Sequence, residues 1–207
     1  MPSSTFINLP KEKQDKIIEC ALKEFSEFPF SEVSINQIIK NAEISRGSFY
    51  TYFADKYDLL IYLLSLYKEK IISHTLLDAG VQKGYLKQLI LTVHQQIFIV
   101  FSEEKNKKFL FNVISYFQSH IDEEFKGDRD QLPFLGDCQM LLNFLDLNQF
   151  KFTDKDRINK TIDIAFAVLK HTLFLATTQK LSYEESKILL NEYLDILQHG
   201  YMEEENA

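Results

Sequence analysis

The chain has 207 residues, is 45% hydrophobic and 26% charged, and carries a formal net charge of −7. These values exclude a disordered chain, and the acidic balance argues against a general nucleic-acid coat protein. The length allows one large domain or two small ones. Only six Gly and four Pro are present, too few for the many tight turns of a sandwich or barrel, so we expect an all-α fold.

The ends of the chain and its cysteines carry no signal for export, membrane insertion or metal binding. The first residues lack the basic and apolar regions of a signal peptide, and the apolar stretch 164–178 is interrupted by Lys170 and is too short to span a bilayer. Cys20 and Cys138 have no Cys or His neighbours at metal spacing. We therefore expect a cytoplasmic protein without a membrane partner, metal or cofactor.

Apolar periodicity and capping residues predict helices along the whole chain. Ser34 followed by Gln37 is a capping box, in which the Ser oxygen and the Gln side chain each reach a backbone N–H. Ser182 with Glu185 forms a second such box, and Thr153 is expected to cap the helix before it. The predicted helices cover residues 10–28, 34–41, 45–53, 56–77, 85–101, 107–125, 133–147, 153–178 and 182–199.

Two short helices at 34–41 and 45–53 have the spacing of a helix-turn-helix, in which the second helix enters the major groove of DNA. Phe49 and Phe53 mark the buried side of that second helix. Arg46 can read a guanine edge with two donors, and hydroxyl groups suit phosphates. Gly47 in the helix interior would allow DNA to approach closely. On this spacing alone, an ordinary small helical domain remains an alternative.

The same run resembles the DNA-binding domain of the tetracycline-repressor (TetR) family. That family shows a Ser or Thr opening the second helix, then Ile-Ala-x-x-Ala-Gly-Val-Ser, then Gly-Thr/Ser-Leu/Phe-Tyr-x-Tyr/His-Phe, a Lys and a Leu pair. Here the corresponding residues are Ser34, Ile38-Ile39-Lys40-Asn41-Ala42-Glu43-Ile44-Ser45, Gly47-Ser48-Phe49-Tyr50-Thr51-Tyr52-Phe53, Lys56 and Leu59-Leu60. The resemblance implies a dimeric transcription regulator, usually a repressor that a small molecule releases from DNA.

Carried over position by position, the resemblance implies a set of DNA contacts. Ser34 would meet a phosphate at the start of its helix, and Lys56 would meet another. Tyr50 and Tyr52 would contact the DNA backbone. The complete implied set is Ser34, Ser45, Arg46, Gly47, Ser48, Tyr50, Thr51, Tyr52 and Lys56.

Two features depart from the family's pattern. Glu43 stands where the family has Gly in the turn, so a left-handed backbone there would be strained and a negative charge would lie near DNA. Ile39 replaces the usual Ala. Residues 1–60 also contain seven Lys and Arg against nine Asp and Glu, so only a local cluster of Lys40, Arg46 and Lys56 can neutralise phosphates.

We place a helix-turn-helix domain at residues 1–56, and a helical effector-binding and dimerisation domain at 57–207. The last two predicted helices are apolar over more of their circumference than one core contact needs, which favours packing against a second copy across a two-fold axis. A monomer with a central core helix is the alternative. The expected dimer contacts are Phe166, Leu169, Leu173, Leu190, Tyr193, Leu194 and Leu197.

Many Phe residues lie between the helix-turn-helix domain and the last two predicted helices. We expect most of them to form an ordinary apolar core. Some would line the effector cavity that the resemblance implies. Buried core histidines are the favoured interpretation of His94 and His171, because no metal spacing surrounds them. The candidate effector contacts are His94, Phe98, Phe117, Phe144, Lys170 and Phe174, and we expect a bulky, apolar effector that is neutral or anionic.

Two other classes of function are alternatives to a DNA-binding regulator. No phosphate loop, nucleophile elbow, His-Glu-x-x-His motif or acidic metal pair appears, so we expect no catalytic residues and no enzyme. A helical protein-interaction module without DNA-binding activity is the alternative function. The acidic balance and Glu43 are the features that favour it.

Overall fold

The structure, a computed structural model, describes residues 2–79, 84–102, 104–119 and 145–199. These residues form α-helices and short 3-10 turns, which confirms the predicted all-α fold. The α-helices are α1 (Ser4–Ile7), α2 (Lys11–Glu27), α3 (Ile35–Ala42), α4 (Arg46–Tyr52), α5 (Lys56–Ala79), α6 (Leu86–Val100), α7 (Glu104–Ser119), α8 (Lys155–Gln179) and α9 (Tyr183–His199). The 3-10 turns are Phe30–Glu32 and Leu147–Gln149.

The chain forms two compact units, one of residues 1–70 with 100–136 and one of residues 71–99 with 137–207. The boundary that we expect after residue 56 remains a prediction. The first unit also includes α7, from the middle of the chain, because this helix packs against α2.

The first unit has a continuous apolar core. Its fully buried side chains come from every helix between α1 and α5 and from α7, and they include Phe6, Ile17, Ile38, Phe49, Phe53, Leu59, Leu63 and Phe109. Burying such side chains contributes about 1.5–3 kcal/mol each before the cost of ordering the chain is subtracted. This core fixes α3 and α4 on a scaffold of longer helices.

A polar side chain on α7 closes the end of α2. The Nδ2 group of Asn112 donates hydrogen bonds to the carbonyl oxygens of Phe25 and Phe28, both at 3.0 Å, and of Ser26 at 3.2 Å. These carbonyls lie at the C-terminal end of α2, where helix geometry provides no intrahelical partner. The ring of Tyr116 packs 4.0 Å from that of Phe30 in the turn that follows.

The second unit contains α6, α8 and α9, with α8 and α9 packed together. Lys87 on α6 forms a salt bridge of 2.6 Å with Asp195 on α9, and the side chain of His94 meets the hydroxyl of Ser186 at 2.8 Å. Within the described residues, α8 alone is long and apolar enough to cross a membrane, by length and composition only. Its buried residues include Ile162, Ala165, Leu169 and Leu173.

Several predicted helix ends need correction. Ser3 caps α1, a helix that we did not expect. Thr153 is not the cap of α8, because the side chain of Asp154 accepts the N–H of Asp156 at 3.1 Å instead. The predicted helix at 133–147 lies mostly outside the described residues. The Ser182 capping box is confirmed, with Ser182 N–H donating to Glu185 Oε2 at 2.8 Å and Glu185 N–H to Ser182 Oγ at 3.3 Å.

Candidate DNA-binding interface

The start of α3 is fixed by a residue from α2. Ser34 Oγ accepts the N–H of Gln37 at 3.3 Å, as the capping box predicts. The predicted contact from the Gln37 side chain back to the N–H of Ser34 is wrong, since the Gln37 side chain donates to Asn41 Oδ1 at 3.1 Å. The buried carboxylate of Glu24 accepts the N–H of Ser34 at 3.0 Å in its place. Ser34 is half-buried at the first turn of α3, a position from which its remaining hydrogen-bonding capacity can meet a phosphate.

The turn between α3 and α4 passes through a left-handed residue, Glu43. Its φ is 55° and its ψ is 42°, and its N–H and that of Ile44 bond to carbonyls in the last turn of α3. The carboxylate does not project freely, because Lys16 on α2 binds it at 2.8 Å. The hydrogen bond from the Lys16 ammonium lowers the pKa of Glu43. The negative charge in the turn is therefore paired with a cation on α2.

The recognition helix α4 divides its residues between the core and the surface. Ser45 caps it, since Ser45 Oγ accepts the N–H of Ser48 at 3.0 Å. Phe49 is fully buried, as predicted. Arg46, Tyr50 and Thr51 are exposed, and the Arg46 guanidinium lies 5.8 Å from the centre of the Tyr50 ring.

Gly47 lies on the exposed side of α4. A Cβ atom at this position would meet only Ser45 Oγ, at 3.8 Å, which is an ordinary contact. The fold of the unit therefore does not require glycine here. The space above Gly47 is open to an approaching molecule.

Tyr52 is placed differently from the DNA contact that the resemblance implies. Its side chain is only 6% exposed, and its ring packs 5.8 Å from the ring of Phe6. The N–H of Ser3 also donates to the Tyr52 carbonyl at 2.9 Å. Because α1 covers this residue, we correct its main role to that of a core residue at the end of α4.

Lys56 is already engaged within the first unit. Its ammonium donates to the carbonyl oxygens of Phe30 at 2.7 Å and Ser31 at 3.2 Å, and it lies 4.7 Å from the centre of the Phe30 ring. An ammonium has three donors, so one N–H remains for a phosphate. The sequence could not indicate these contacts, because they join positions 25 and 26 residues apart.

In the second unit, two of the candidate effector contacts lie together. The His94 ring is fully buried, 4.7 Å from the Phe98 ring and 5.6 Å from the Tyr183 ring. Burial, with a smaller contribution from the charge of Lys187, lowers the pKa of His94 to about 4. Among the residues that the structure describes, no group bonds His94 Nδ1. His94 is thus a neutral core histidine, as its sequence context indicated.

The other candidate effector contacts are spread over both units. Lys170 and Phe174 are half-buried on α8, whereas Phe117 is buried in the first unit. Phe144 lies outside the described residues. Asp163, the other charged residue in the apolar part of α8, is exposed and forms no salt bridge within the described part of the chain.

The predicted dimer contacts need the largest correction. Phe166, Leu169, Leu173, Leu190 and Leu194 are buried within the second unit, so they cannot form a surface for a second copy. Tyr193 and Leu197 are half-buried. The residues that do face outward include Ile164 (51% exposed) and Ile196 (54% exposed), and the His171 and Tyr193 rings lie 5.9 Å apart beside them.

The fold and this interface define an all-helical protein with an N-terminal helix-turn-helix. Residues 17–63 match the family model described as bacterial regulatory proteins, tetR family. An uncharacterized HTH-type transcriptional regulator of Bacillus subtilis, YuxN, is 41% identical over 66 residues, which are 32% of this chain and 23% of that protein. The N-terminal helices of this chain therefore match the DNA-binding domain of the TetR family of bacterial transcription regulators.

Longer matches extend beyond the N-terminal helices. An HTH-type transcriptional regulator of Staphylococcus aureus is 29% identical over 160 residues, covering 71% of this chain and 85% of that one. The crystal structure of a TetR-family regulator from Syntrophomonas wolfei covers 93% of this chain and 97% of its own, with 26% identity and a TM-score of 0.66. FadR from Bacillus subtilis, solved with stearoyl-CoA, shares the fold at 16% identity, covering 91% of this chain and 99% of its own with a TM-score of 0.54.

Proposed function

We propose that the protein represses transcription in the cytoplasm by binding, as a homodimer, an operator with two half-sites, and that a small effector releases it. The observation that carries this proposal is the division of α4. Phe49 and Tyr52 hold one side of the helix in the core, while Arg46, Tyr50 and Thr51 face outward. A capped helix with an outward Arg and hydroxyl groups has the chemistry that reads a major groove.

The contacts to DNA divide by chemistry. Arg46 supplies two hydrogen-bond donors for a guanine edge. The missing side chain at Gly47, the next residue, leaves space for DNA to come close to α4. Ser34, Ser45, Ser48, Tyr50 and Thr51 offer hydroxyl groups to phosphates, and Lys40 and the third N–H of Lys56 offer charge. Base contacts set the sequence that is bound, and phosphate contacts set the register.

The second copy docks, in this proposal, on an outward apolar face of α8 and α9. We call this face the α8–α9 flank, and it consists of Ile164, Val168, His171, Leu175, Leu189, Tyr193 and Ile196. These side chains are exposed or half-buried, although they are apolar or aromatic. A two-fold axis through the flank would bring the same residues of two subunits together and would bury them.

The effector that we propose is bulky and apolar, and neutral or anionic. Lys170 is half-buried on α8 and can meet a carboxylate at the edge of an apolar site. Asp163 is exposed, so it does not supply the buried partner that a cationic effector needs. FadR from Bacillus subtilis, which shares this fold, was solved with stearoyl-CoA, an anionic molecule with a long apolar chain. The effector must favour a subunit arrangement that does not fit DNA, since only a difference in affinity between two states can release the operator.

Selection from a library of random 40-base-pair duplexes tests the DNA-binding part. We expect the purified protein to enrich a pseudo-palindrome, and the selected duplex to bind with two subunits in native mass spectrometry. Arg46→Ala in the same selection should lose the preference at one position in each half-site. Enrichment of no sequence, together with equal affinity for selected and scrambled duplexes, would contradict the proposal.

Release of the selected duplex tests the effector part. Long-chain carboxylic acids and long-chain quaternary ammonium compounds of matched length are compared by fluorescence anisotropy. We expect release by the acids, at a higher concentration in Lys170→Ala. Release by the cations alone, unchanged in Lys170→Ala and lost in Asp163→Asn, would contradict the expected charge of the effector.

A further inference from the structure

Residues before α2 contact the end of the recognition helix. Ser3 caps α1, with Ser3 Oγ accepting the N–H of Phe6 at 3.3 Å. The N–H of Ser3 itself donates to the carbonyl of Tyr52, the last residue of α4, at 2.9 Å. The final carbonyls of a helix have no intrahelical donor, so this bond satisfies one of them. We refer to residues 3–9 as the N-terminal segment.

The side chain of Phe6 fills the space beside this bond. It is fully buried, and its ring centre lies 4.8 Å from that of Phe53, 5.4 Å from that of Tyr62 and 5.8 Å from that of Tyr52. Phe6 thus joins the end of α4 to α5. Aromatic pairs in such tilted and edge-to-face arrangements are favourable beyond their buried area.

The N-terminal segment is also tied to α2. The side-chain amide of Gln14 donates to the carbonyl oxygens of Ile7 at 2.9 Å and Leu9 at 2.8 Å. The segment is therefore held at α4 through Ser3 and Phe6, and at α2 through Gln14. It lies before residue 17, where the match to the family model begins.

From these contacts we infer that the N-terminal segment is part of the DNA-reading apparatus, with Phe6 and the Ser3 N–H positioning the recognition helix. A helix that reads base edges must be held in one orientation, because its hydrogen bonds to bases are directional. Phosphate contacts tolerate small rotations, since flexible side chains and charge provide them. Loosening the end of α4 should therefore reduce sequence discrimination more than general affinity for DNA.

The test measures two affinities of each variant, one for the duplex selected by the wild-type protein and one for a scrambled duplex of equal length. The ratio of the first affinity to the second is the measure of sequence discrimination. The inference rests on the proposed DNA binding, and the wild-type protein reports on that separately, since a wild-type ratio of one would contradict the proposed function itself. The variants are made in the full chain. Circular dichroism and thermal melting establish that each variant is folded at the assay temperature.

Ser3→Pro and Ser3→Ala form a matched pair. Both remove the Ser3 hydroxyl, but only proline also removes the N–H that bonds Tyr52. The φ of Ser3 is −68°, which proline adopts without strain. We expect the ratio for Ser3→Pro to fall roughly two- to tenfold below that for Ser3→Ala, which is the range for one net hydrogen bond.

Phe6→Ala and Phe6→Leu test the side-chain contacts, with Phe111→Ala as the control. We expect the largest loss of the ratio in Phe6→Ala, partial recovery in Phe6→Leu and no change in Phe111→Ala, because Phe111 is 50% exposed on α7, outside the N-terminal segment. If Phe6→Ala does not fold, the comparison of Ser3→Pro with Ser3→Ala alone tests whether the N-terminal segment affects sequence discrimination. Equal ratios for Ser3→Pro, Ser3→Ala and the wild type would overturn the inference.

Discussion

On α4, neighbouring residues face opposite environments, the core and the solvent. Phe49 points into the core while Tyr50 is 47% exposed, and their rings meet edge to face at 5.3 Å. Arg46 lies one turn before Tyr50 on the outward side, 5.8 Å from its ring. The aromatic ring beside the guanidinium limits its freedom, which favours a fixed two-donor contact over a diffuse charge contact.

We predict that Arg46→Ala costs about 1–3 kcal/mol of binding free energy for the selected duplex. The loss should disappear for duplexes in which one base pair of each half-site is changed. The comparison is Lys40→Ala, since Lys40 is an exposed cation in the last turn of α3. This change should weaken binding to all duplexes alike and lower the salt slope by about 1. Fluorescence anisotropy over a salt series measures both. Equal, sequence-independent losses would show that Arg46 contacts only phosphate.

Glu43 combines an unfavourable backbone with a favourable side-chain contact. Its left-handed conformation suits glycine better than glutamate, and its carboxylate is paired with Lys16. The pair is exposed, so it contributes little to stability, and the contribution is screened by salt. Because the pKa of Glu43 is lowered, that contribution is present above the ordinary carboxyl pKa and is lost as the pH falls through the lowered value.

We predict that Glu43→Gly raises the melting temperature by roughly 2–4 °C, since relief of the backbone exceeds the loss of the exposed pair. It should also strengthen binding to all duplexes, because a negative charge leaves the turn and the ammonium of Lys16 becomes available. Glu43→Gln is the matched control, which removes the charge but keeps the backbone strain. A lower melting temperature in Glu43→Gly than in Glu43→Gln would contradict this account.

His94 makes the second unit sensitive to acid. Its pKa is about 4 in the folded chain against 6.5 for an unperturbed histidine, so the unfolded chain binds more protons between these values. We predict that the free energy of unfolding falls as the pH is lowered from 6.5 towards 4. Urea unfolding at a series of pH values should show a weaker fall of this free energy in His94→Phe than in the wild type. An equal pH dependence in wild type and His94→Phe would count against the buried, neutral imidazole.

At the scale of helices, local signals were sufficient wherever the cap and its partner are close in sequence. The caps by Ser45 and Ser182 follow directly from the residue types that precede each helix. Glu24 could not be identified as the partner of Ser34, because ten residues separate them and a helix packing brings them together. The helix α1 has four residues and depends on the burial of Phe6, so no periodicity reveals it.

The surface that we propose for the dimer also could not be identified from the sequence. Apolar residues surround most of α8, so the sequence reveals that the helix has two apolar sides but not which side is packed within the subunit. Leu169 is fully buried, whereas Ile164 is half exposed. The distinction depends on where α9 packs, and that contact is tertiary.

We predict that Ile164→Glu separates the dimer into monomers with unchanged helical content. A charge placed on the α8–α9 flank would be buried without a partner in the dimer, but it is solvated in the monomer. Phe111→Glu is the control, because Phe111 is equally exposed on α7 of the first unit. Light scattering coupled to gel filtration measures the mass. A dimeric Ile164→Glu variant, or a monomeric wild type, would exclude the flank as the interface.

Over the whole molecule, charge is arranged so that few cations face DNA. The chain carries −7 overall, Lys16 is paired with Glu43, and Lys56 is bound to two carbonyl groups. Under the proposed function, affinity for DNA then depends on directional contacts from α4 and on two subunits acting together. This arrangement favours a shallow salt dependence for a DNA-binding protein.

Footprinting on the selected duplex tests whether two recognition helices read two half-sites together. Hydroxyl-radical protection should appear at two related half-sites on one side of the duplex, with centres about 34–36 Å apart, which is one helical turn. Both half-sites should become protected over the same narrow range of protein concentration. Protection of a single unpaired half-site, with the full affinity of the selected duplex, would contradict the account.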